Sequence, residues 1–443
     1  NPHTMTTIKL KKGYNLNLTG GVTDTTVVAL PEPSVVAVIP DDYTGMVPRL
    51  DKREGDSVLA GEAIFHDKTH ESVKVTSPMS GVIKEVRRGE RRKIEAIVIE
   101  ADGKKQSAEI PTNDVKEALL QSGLWAAMRQ RPYDVVPDPE ATVRDIFVTC
   151  FDSAPLAPSL TAMVSLDNVK KGVEALSKIT SGSIYLGCSP DEVIEVPGAE
   201  TVVFQGPHPA GNAGVQAANV KPVNKGETIL TLDVVTLAKV GELFATGKVN
   251  YDAVVAVTGS GVKSPKIVKT IAGAPLKSVL ADNLALEAGE ARIICGNVLT
   301  GVASCTEGYL QAPYRQVTVI PENSCRDEFM GWASLSPKRF SIYHTFTSWL
   351  LGNKKAVNFD ARLKGGERAI VMAGEYDDML PMDIYAEFLI KAVIAFDIDK
   401  MEALGIYEVA PEDFALAEYA DTSKIELQSI LRDGLNRLRA EMS

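Results

Sequence analysis

The sequence predicts a multidomain α+β protein. Short β-branched runs broken by glycine turns fill residues 47–100, strands and helices alternate from about Asp114, and helical periodicity dominates towards the C-terminus. At 443 residues, and with about 150 residues per domain, roughly three domains are expected. The 45% hydrophobic and 24% charged fractions are those of a folded chain. A formal net charge of −11 argues against a nucleic-acid partner and against broad docking on anionic lipid. No apolar run reaches the ~20 residues a membrane-spanning helix needs. The most apolar helical stretch, Asp383 to Phe396, carries Glu387 and Lys391 at i, i+4, which predicts a solvent-facing stripe. Asn1-Pro-His-Thr before Met5 has neither a basic nor an apolar region. It reads as a vector-derived remnant, with Met5 the expected start and the cytoplasm the expected compartment.

After an N-terminal segment (1–40), a β module is expected over 41–110. Its strands are Ser57 to Val58, Ala63 to Phe65, Val73 to Val75, Val82 to Val86 and Ile94 to Ile99. Glu54-Gly55-Asp56, Ala60-Gly61-Glu62, Ser77-Pro78, Ser80-Gly81 and Arg88-Gly89 separate them as turns. Two similar halves, each a glycine turn and a short strand, suggest a folded-over module that resembles the barrel-sandwich hybrid of biotinyl and lipoyl carriers. That resemblance makes Lys68, in His66-Asp67-Lys68-Thr69, a candidate swinging arm of a free-standing carrier. Against it, the stretch from Lys68 to Ser77-Pro78 is longer than a carrier tip and should move the lysine out of the exposed turn. No biotin-type Met-Lys-Met occurs.

From 111 to 262 the alternation predicts a Rossmann-like α/β layer. A helix is expected over Val115 to Met128, an irregular link over Pro132 to Pro139, and a strand over Asp145 to Phe151. A helix over Asp167 to Ile179 follows, with Asp167 as cap and Val169, Val173, Leu176 and Ile179 on one face. Strands at Ser183 to Leu186 and Glu200 to Phe204, a helix at Val235 to Phe244 and a strand at Ala253 to Val257 complete it. Ligands on such sheets bind beyond the strand carboxyl ends, here Asp152-Ser153, Gly187-Cys188, Gln205 to Gly214 and Thr258 to Gly261. Residues 263–328 read as a small mixed β domain, with strands such as Arg292 to Cys295 and Val317 to Ile320. Residues 329–443 read as a helical domain, clearest at Pro381 to Phe396 and Ser423 to Met442.

The sharpest motif is Gln205-Gly-Pro-His-Pro-Ala-Gly-Asn-Ala-Gly214. Pro207 and Pro209 stiffen it, Gly206, Gly211 and Gly214 can take positive φ or admit a ligand closely, and His208 between the prolines is held in one direction. It is either a binding or docking loop, with His208 as hydrogen-bond donor or proton acceptor, or a rigid connector with an exposed histidine. Thr258-Gly-Ser-Gly-Val262 lacks the third glycine of a dinucleotide fingerprint and reads as a tight turn. Arg87-Arg-Gly-Glu-Arg-Arg-Lys93 could touch lipid headgroups or an acidic partner, but reads first as a solvated hairpin tip. Cys150, Cys188, Cys295, Cys305 and Cys325 form no CxxC pair and fit no zinc or iron–sulfur spacing, so free thiols and no metal are expected. There is no GxSxG or HExxH, and His66, His70, His208 and His344 are too scattered for a metal cage. No catalytic residue is singled out.

The order of these segments, together with Ile8 to Gly13, Val75 to Gly81, Gly206 to Gly211, Gly241-Glu-Leu-Phe-Ala-Thr-Gly247, Gly296-Asn-Val-Leu-Thr-Gly301 and Pro381-Met-Asp-Ile384, resembles the A-subunit family of the Na⁺-translocating NADH:quinone reductase. More distantly it is similar to the C subunit of the Rnf complex and to the NADH- and FMN-binding subunit of complex I. Where the family pattern has Thr-His-Ile-His, this chain has Val215-Gln-Ala-Ala218, so no role of those histidines carries over. The resemblance implies a peripheral subunit on the cytoplasmic face of the inner membrane, with the other subunits of the complex as partners. The complex couples NADH oxidation and quinone reduction to Na⁺ export, with NADH, flavins and an iron–sulfur centre held by partner subunits. For this chain it implies docking, a part in quinone binding, no bound cofactor and no independent active site. It also implies a β-grasp type for 263–328.

Overall fold

The computed structural model describes residues 5–287, 289–323, 339–344, 346–351 and 356–443. Cys325, residues 1–4 and the expected start of the helical domain at Phe329 lie outside the described residues.

One six-stranded sheet dominates the middle of the chain. Its order is Thr6–Lys9, Glu200–Gln205, Ile184–Cys188, Val143–Thr149, Thr228–Asp233 and Arg129–Arg131; the first five run parallel and the last antiparallel. Near-continuous apolar strands such as Ile146, Phe147 and Val148 suit a sheet covered on both faces. Leu166–Leu176 and Val234–Thr246 pack together on one face, where a Cβ on Gly241 would lie 1.8 Å from Asn168 O. On the other face Ala213–Val220 puts Ala217 against Phe147, Val223 and Ile229.

Several boundaries differ from the sequence expectation. The helix begun at Val115 stops at Ser122, because Gly123 turns left-handed (φ 81°) and caps it. Ser165, not Asp167, is the N-cap of the next helix, and Asp167 sits in its first turn, where a carboxylate suits the helix dipole. The strand expected over Ala253 to Val257 forms as Asp252–Thr258, but it joins a different sheet. A parallel return requires a long crossover. Here Gly259 (φ 102°) packs on Val319 and the chain comes straight back as Lys266–Ile271, antiparallel. That second sheet runs Val302–Ser304, Ala291–Cys295, Gln316–Pro321, Asp252–Thr258, Lys266–Ile271 and Val27–Ala29.

The β module consists of two small sheets. Val35–Val38, Ile94–Ala101, Gly81–Arg88 and Ser57–Val58 form one; Pro48–Leu50, Ala63–Asp67 and Lys74–Thr76 form the other. Val36, Ile64, Phe65, Val75, Ile83, Ile97 and Ile99 are buried together in this module. Arg87 to Lys93 is the exposed tip between two long strands, with Lys93 paired to Asp41 and Arg87 to Glu85. Lys68 is exposed and opens the turn after Ala63–Asp67, contrary to the expectation that the longer connection withdraws it. Its neighbour Asp67 is turned inward instead, accepting from Val47 N–H at 2.9 Å.

The C-terminal part is helical: Glu375–Met379, Ala386–Ala395, Ile398–Ala403, Ala415–Ala420 and Leu427–Met442. Leu427, Leu431, Leu435 and Leu438 bury one stripe of the last helix, and Gly434 lets it approach Val393. Glu387 is not on a solvent stripe: it is 3% exposed, and Tyr385, Phe388 and Ile394 face outward instead. No helix of the described residues is long and apolar enough to cross a membrane.

Candidate functional site

The proline–histidine loop leaves the end of Glu200–Gln205 and runs into Ala213–Val220, so Gly214 is the second residue of a helix. None of Gly206, Gly211 and Gly214 has positive φ. Each is small because something lies against it. A Cβ would meet Leu10 O at 2.5 Å on Gly206, Ser153 N at 2.6 Å on Gly211, and the Arg131 guanidinium at 2.5 Å on Gly214. Pro207 and Pro209 carbonyls accept from Ala210 and Asn212 N–H, which closes the loop on itself.

His208 is buried, 3% exposed, rather than on the surface. Its backbone is clamped by the N-terminal segment: Tyr14 N–H donates to His208 O at 2.9 Å, and His208 N–H donates to Asn15 Oδ1 at 2.8 Å. The ring is held by Ser153. Gly211 N–H donates to Ser153 Oγ at 2.8 Å, and Ser153 Oγ lies 2.9 Å from His208 Nδ1. Ser153 Oγ and His208 Nδ1 share one hydrogen between them, and this contact fixes the ring so that Nε2 is its other polar atom. Burial lowers the His208 pKa to about 4, so the ring is neutral at pH 7. Nε2 has no partner in the protein. A buried polar atom left without a partner costs about 1–3 kcal/mol.

His208 and Gly211 form part of the wall of a cavity of about 380 Å³. It lies where all four parts of the chain meet: Asp42 and Tyr43 come from the β module, Phe151, Asp152 and Asp233 from the parallel sheet, Tyr314 to Gln316 from the second sheet, and Glu412 from the helical part. Leu160, Leu232, Ala126 and Ala127 add apolar wall. Gln316 Nε2 donates to Pro155 O, Thr258 Oγ1 and Thr318 Oγ1, leaving its Oε1 unpartnered. Arg315 pairs with Asp233 at 3.0 Å. Burial pushes Asp233 up, but Arg315 and the Thr236 N–H outweigh it and hold the carboxyl below the usual range. Burial raises Asp42 to about 7 and also raises Asp152. The Glu412 side chain is 44% exposed. The surrounding protein and Asp413 push it above the carboxylate range, against the pull of Arg131.

The strand ends marked in the sequence thus converge in part. Asp152, His208 and Gly211 line the cavity, Ser153 orients His208, and Thr258 holds Gln316, whereas Gly206 and Gly214 serve packing. Asp42, Tyr43, Arg129, Tyr314, Arg315 and Glu412 carry no local signal, since they come from separate stretches joined only by the fold. Cys150, Cys188, Cys295 and Cys305 are free thiols. Among the described residues no group of three or more His, Cys, Asp or Glu could hold a metal ion.

Three family profiles cover much of the chain: an N-terminal barrel-sandwich hybrid domain over residues 8–102, a second alpha/beta domain over 110–249 and a C-terminal domain over 254–306, all described as domains of NqrA. Three relatives are each the A subunit of a Na⁺-translocating NADH-quinone reductase. The chain is 33% identical over 450 residues to that of Neisseria meningitidis serogroup B, 34% over 450 residues to that of Yersinia pestis and 35% over 452 residues to that of Saccharophagus degradans. Each alignment spans 98% of this chain and all of the relative. With these domain profiles and relatives matched from end to end, the chain belongs to the family of A subunits of the Na⁺-translocating NADH-quinone reductase.

Proposed function

We propose that this chain docks on the cytoplasmic face of the inner membrane as a peripheral subunit of the reductase, and that its central cavity receives a quinone headgroup. The observation that carries the reading is the buried, unpartnered His208 Nε2 in the cavity wall. In the tautomer with its hydrogen on Nε2 the ring offers a quinone carbonyl the donor it needs, and Phe151, Leu160, Tyr43 and Tyr314 supply apolar surface beside it. In this reading NADH, the flavins and the iron–sulfur centre remain with partner subunits, and Na⁺ moves through membrane subunits. The parallel sheet is then a Rossmann-like layer without a phosphate loop, and the second sheet a β-grasp-like wall closing the cavity.

The test is quinone titration of the purified chain and of its His208→Ala and His208→Gln variants, with the visible spectrum and assembly with partner subunits recorded in parallel. A colourless protein that binds quinone saturably, loses about tenfold or more in affinity on His208→Ala and still assembles supports the reading; a hydrogen bond to a buried group is worth about this much. Unchanged affinity in the variant removes His208 from quinone binding, and lost assembly makes the loop an interface.

A further inference from the structure

Two cysteines that fit no metal spacing meet in the fold. Cys188 ends the strand Ile184–Cys188, and Cys150 follows the last residue of the neighbouring parallel strand Val143–Thr149. The register pairs Thr149 with Gly187, so one further step sets Cys150 opposite Cys188. The ladder continues there, with Cys150 N–H donating to Gly187 O at 2.8 Å. Both side chains are fully buried in the same core cluster, beside Ile146, Val148, Ile184 and Leu186. Adjacent strands lie about 4.8 Å apart, inside the ~4.4–6.8 Å Cα separation that a disulfide spans.

We infer that Cys150 and Cys188 form a reversible dithiol–disulfide pair, oxidised by peroxide and built into the strand ends that carry the Asp152-Ser153 turn. The two sulfurs are unequal in the way such chemistry requires. The neighbouring Cys150 thiol lowers the Cys188 pKa, while Cys188 and burial raise that of Cys150. The Cys188 thiolate attacks one oxygen of hydrogen peroxide, giving a sulfenic acid and hydroxide, which takes a proton to become water. Cys150 sulfur then attacks the Cys188 sulfur, loses its proton and expels the second water. Two thiols are oxidised and one peroxide is reduced to two waters. Hydrogen peroxide is small enough to enter on local opening where a bulky thiol reagent is excluded. The inference stands independently of the quinone reading.

The test uses the full chain with Cys305→Ser and Cys325→Ser, so that only Cys150, Cys188 and the buried Cys295 remain. After graded peroxide, acid quench, alkylation and digestion, mass spectrometry should find a peptide pair linked through Cys150 and Cys188, lighter by two hydrogens and released by dithiothreitol. Cys150→Ser in the same background should stop at an oxyacid on Cys188, and Cys188→Ser should leave Cys150 reduced. Cys150 and Cys188 both remaining alkylatable at peroxide levels that oxidise Cys305 in the parent chain overturn the inference. So does Cys188 sulfinic acid accumulating with no cross-link while Cys150 is present.

Discussion

At the scale of the residue, His208 ties the site to stability through its proton. Its ordinary value is 6.5, and in the fold burial lowers it to about 4. Between those values the unfolded chain binds a proton that the folded chain refuses, so stability rises with pH through this window and is lost as pH falls below 6.5. At about 1.36 kcal/mol per pH unit, the part lost between pH 6.5 and pH 5 is about 2 kcal/mol. Asp42 works in the opposite sense, because burial keeps it protonated in the fold from its ordinary 3.8 up to about 7, and its contribution falls as pH rises. The wild-type curve mixes the two, but its difference from His208→Gln isolates the histidine. Urea unfolding at pH 7 and pH 5 should show the wild type losing about 2 kcal/mol relative to the variant; parallel behaviour would sink the assignment of a neutral, buried ring. The sequence marked this loop because two prolines around a histidine are locally visible. It could not show that Ser153 is the ring's partner. Nor could it show that the three glycines serve close packing rather than positive φ, because both depend on what the fold lays against them.

At the scale of the element, two joints decide how the helical part is held and what it offers outward. Arg131 ends the antiparallel edge strand and reaches into the helical part. There it donates to Asp413 at 2.9 Å, Glu412 at 3.0 Å and the Glu408 carbonyl at 3.1 Å. Both Arg131 and Asp413 are essentially inaccessible, at 1% and 0%. Arg131→Ala leaves the Asp413 carboxylate buried without its cation and should cost about 3–5 kcal/mol in urea unfolding. An unchanged midpoint would mean that solvent reaches the pair. The helix Ala386–Ala395 is apolar on both sides: Leu389, Ile390 and Val393 face the core, while Tyr385, Phe388 and Ile394 are 67%, 56% and 54% exposed. Around the exposed Lys391 these side chains leave an uncovered apolar patch, and under the docking reading proposed above it is the surface a partner subunit would cover. Phe388→Asp should therefore lower co-purification of the partner subunits severalfold, while the isolated chain unfolds at the same urea concentration. Full assembly of the variant would move the docking surface elsewhere. The sequence showed the helix but misplaced its wet side, because a Glu387–Lys391 pair has the same spacing whether or not the glutamate faces solvent.

At the scale of the whole molecule, the first 40 residues bind the parts together, and this was the least legible feature. Thr6–Lys9 adds to the parallel sheet along Val202 to Gln205, Val27–Ala29 adds to the second sheet along Ile267 to Lys269, and Val35–Val38 adds to the β module along Ile97 to Glu100. Between them Leu10, Leu16 and Leu18 enter the core of the helical part, and Tyr14 and Asn15 clamp His208. The first two of these strands are three or four residues long and largely exposed, with Val27 at 46% and Val28 at 42%. An edge strand held by main-chain bonds needs no buried alternation, so it leaves no hydrophobic pattern to read. The β module, the parallel strands and the last helix were legible because each buries a regular face. A chain lacking residues 5–30 would uncover the edges of Glu200–Gln205 and Lys266–Ile271 together and release the histidine loop. Uncovered edges pair with other chains, so the shortened protein should elute as oligomers and bind quinone more weakly than the full chain. Adding a peptide of residues 5–30 should restore both the full chain's elution volume and its binding, because the same strands can reoccupy the same edges. A shortened chain that elutes as expected for the full protein's assembly state and melts like it would show that the sheets hold without their N-terminal strands.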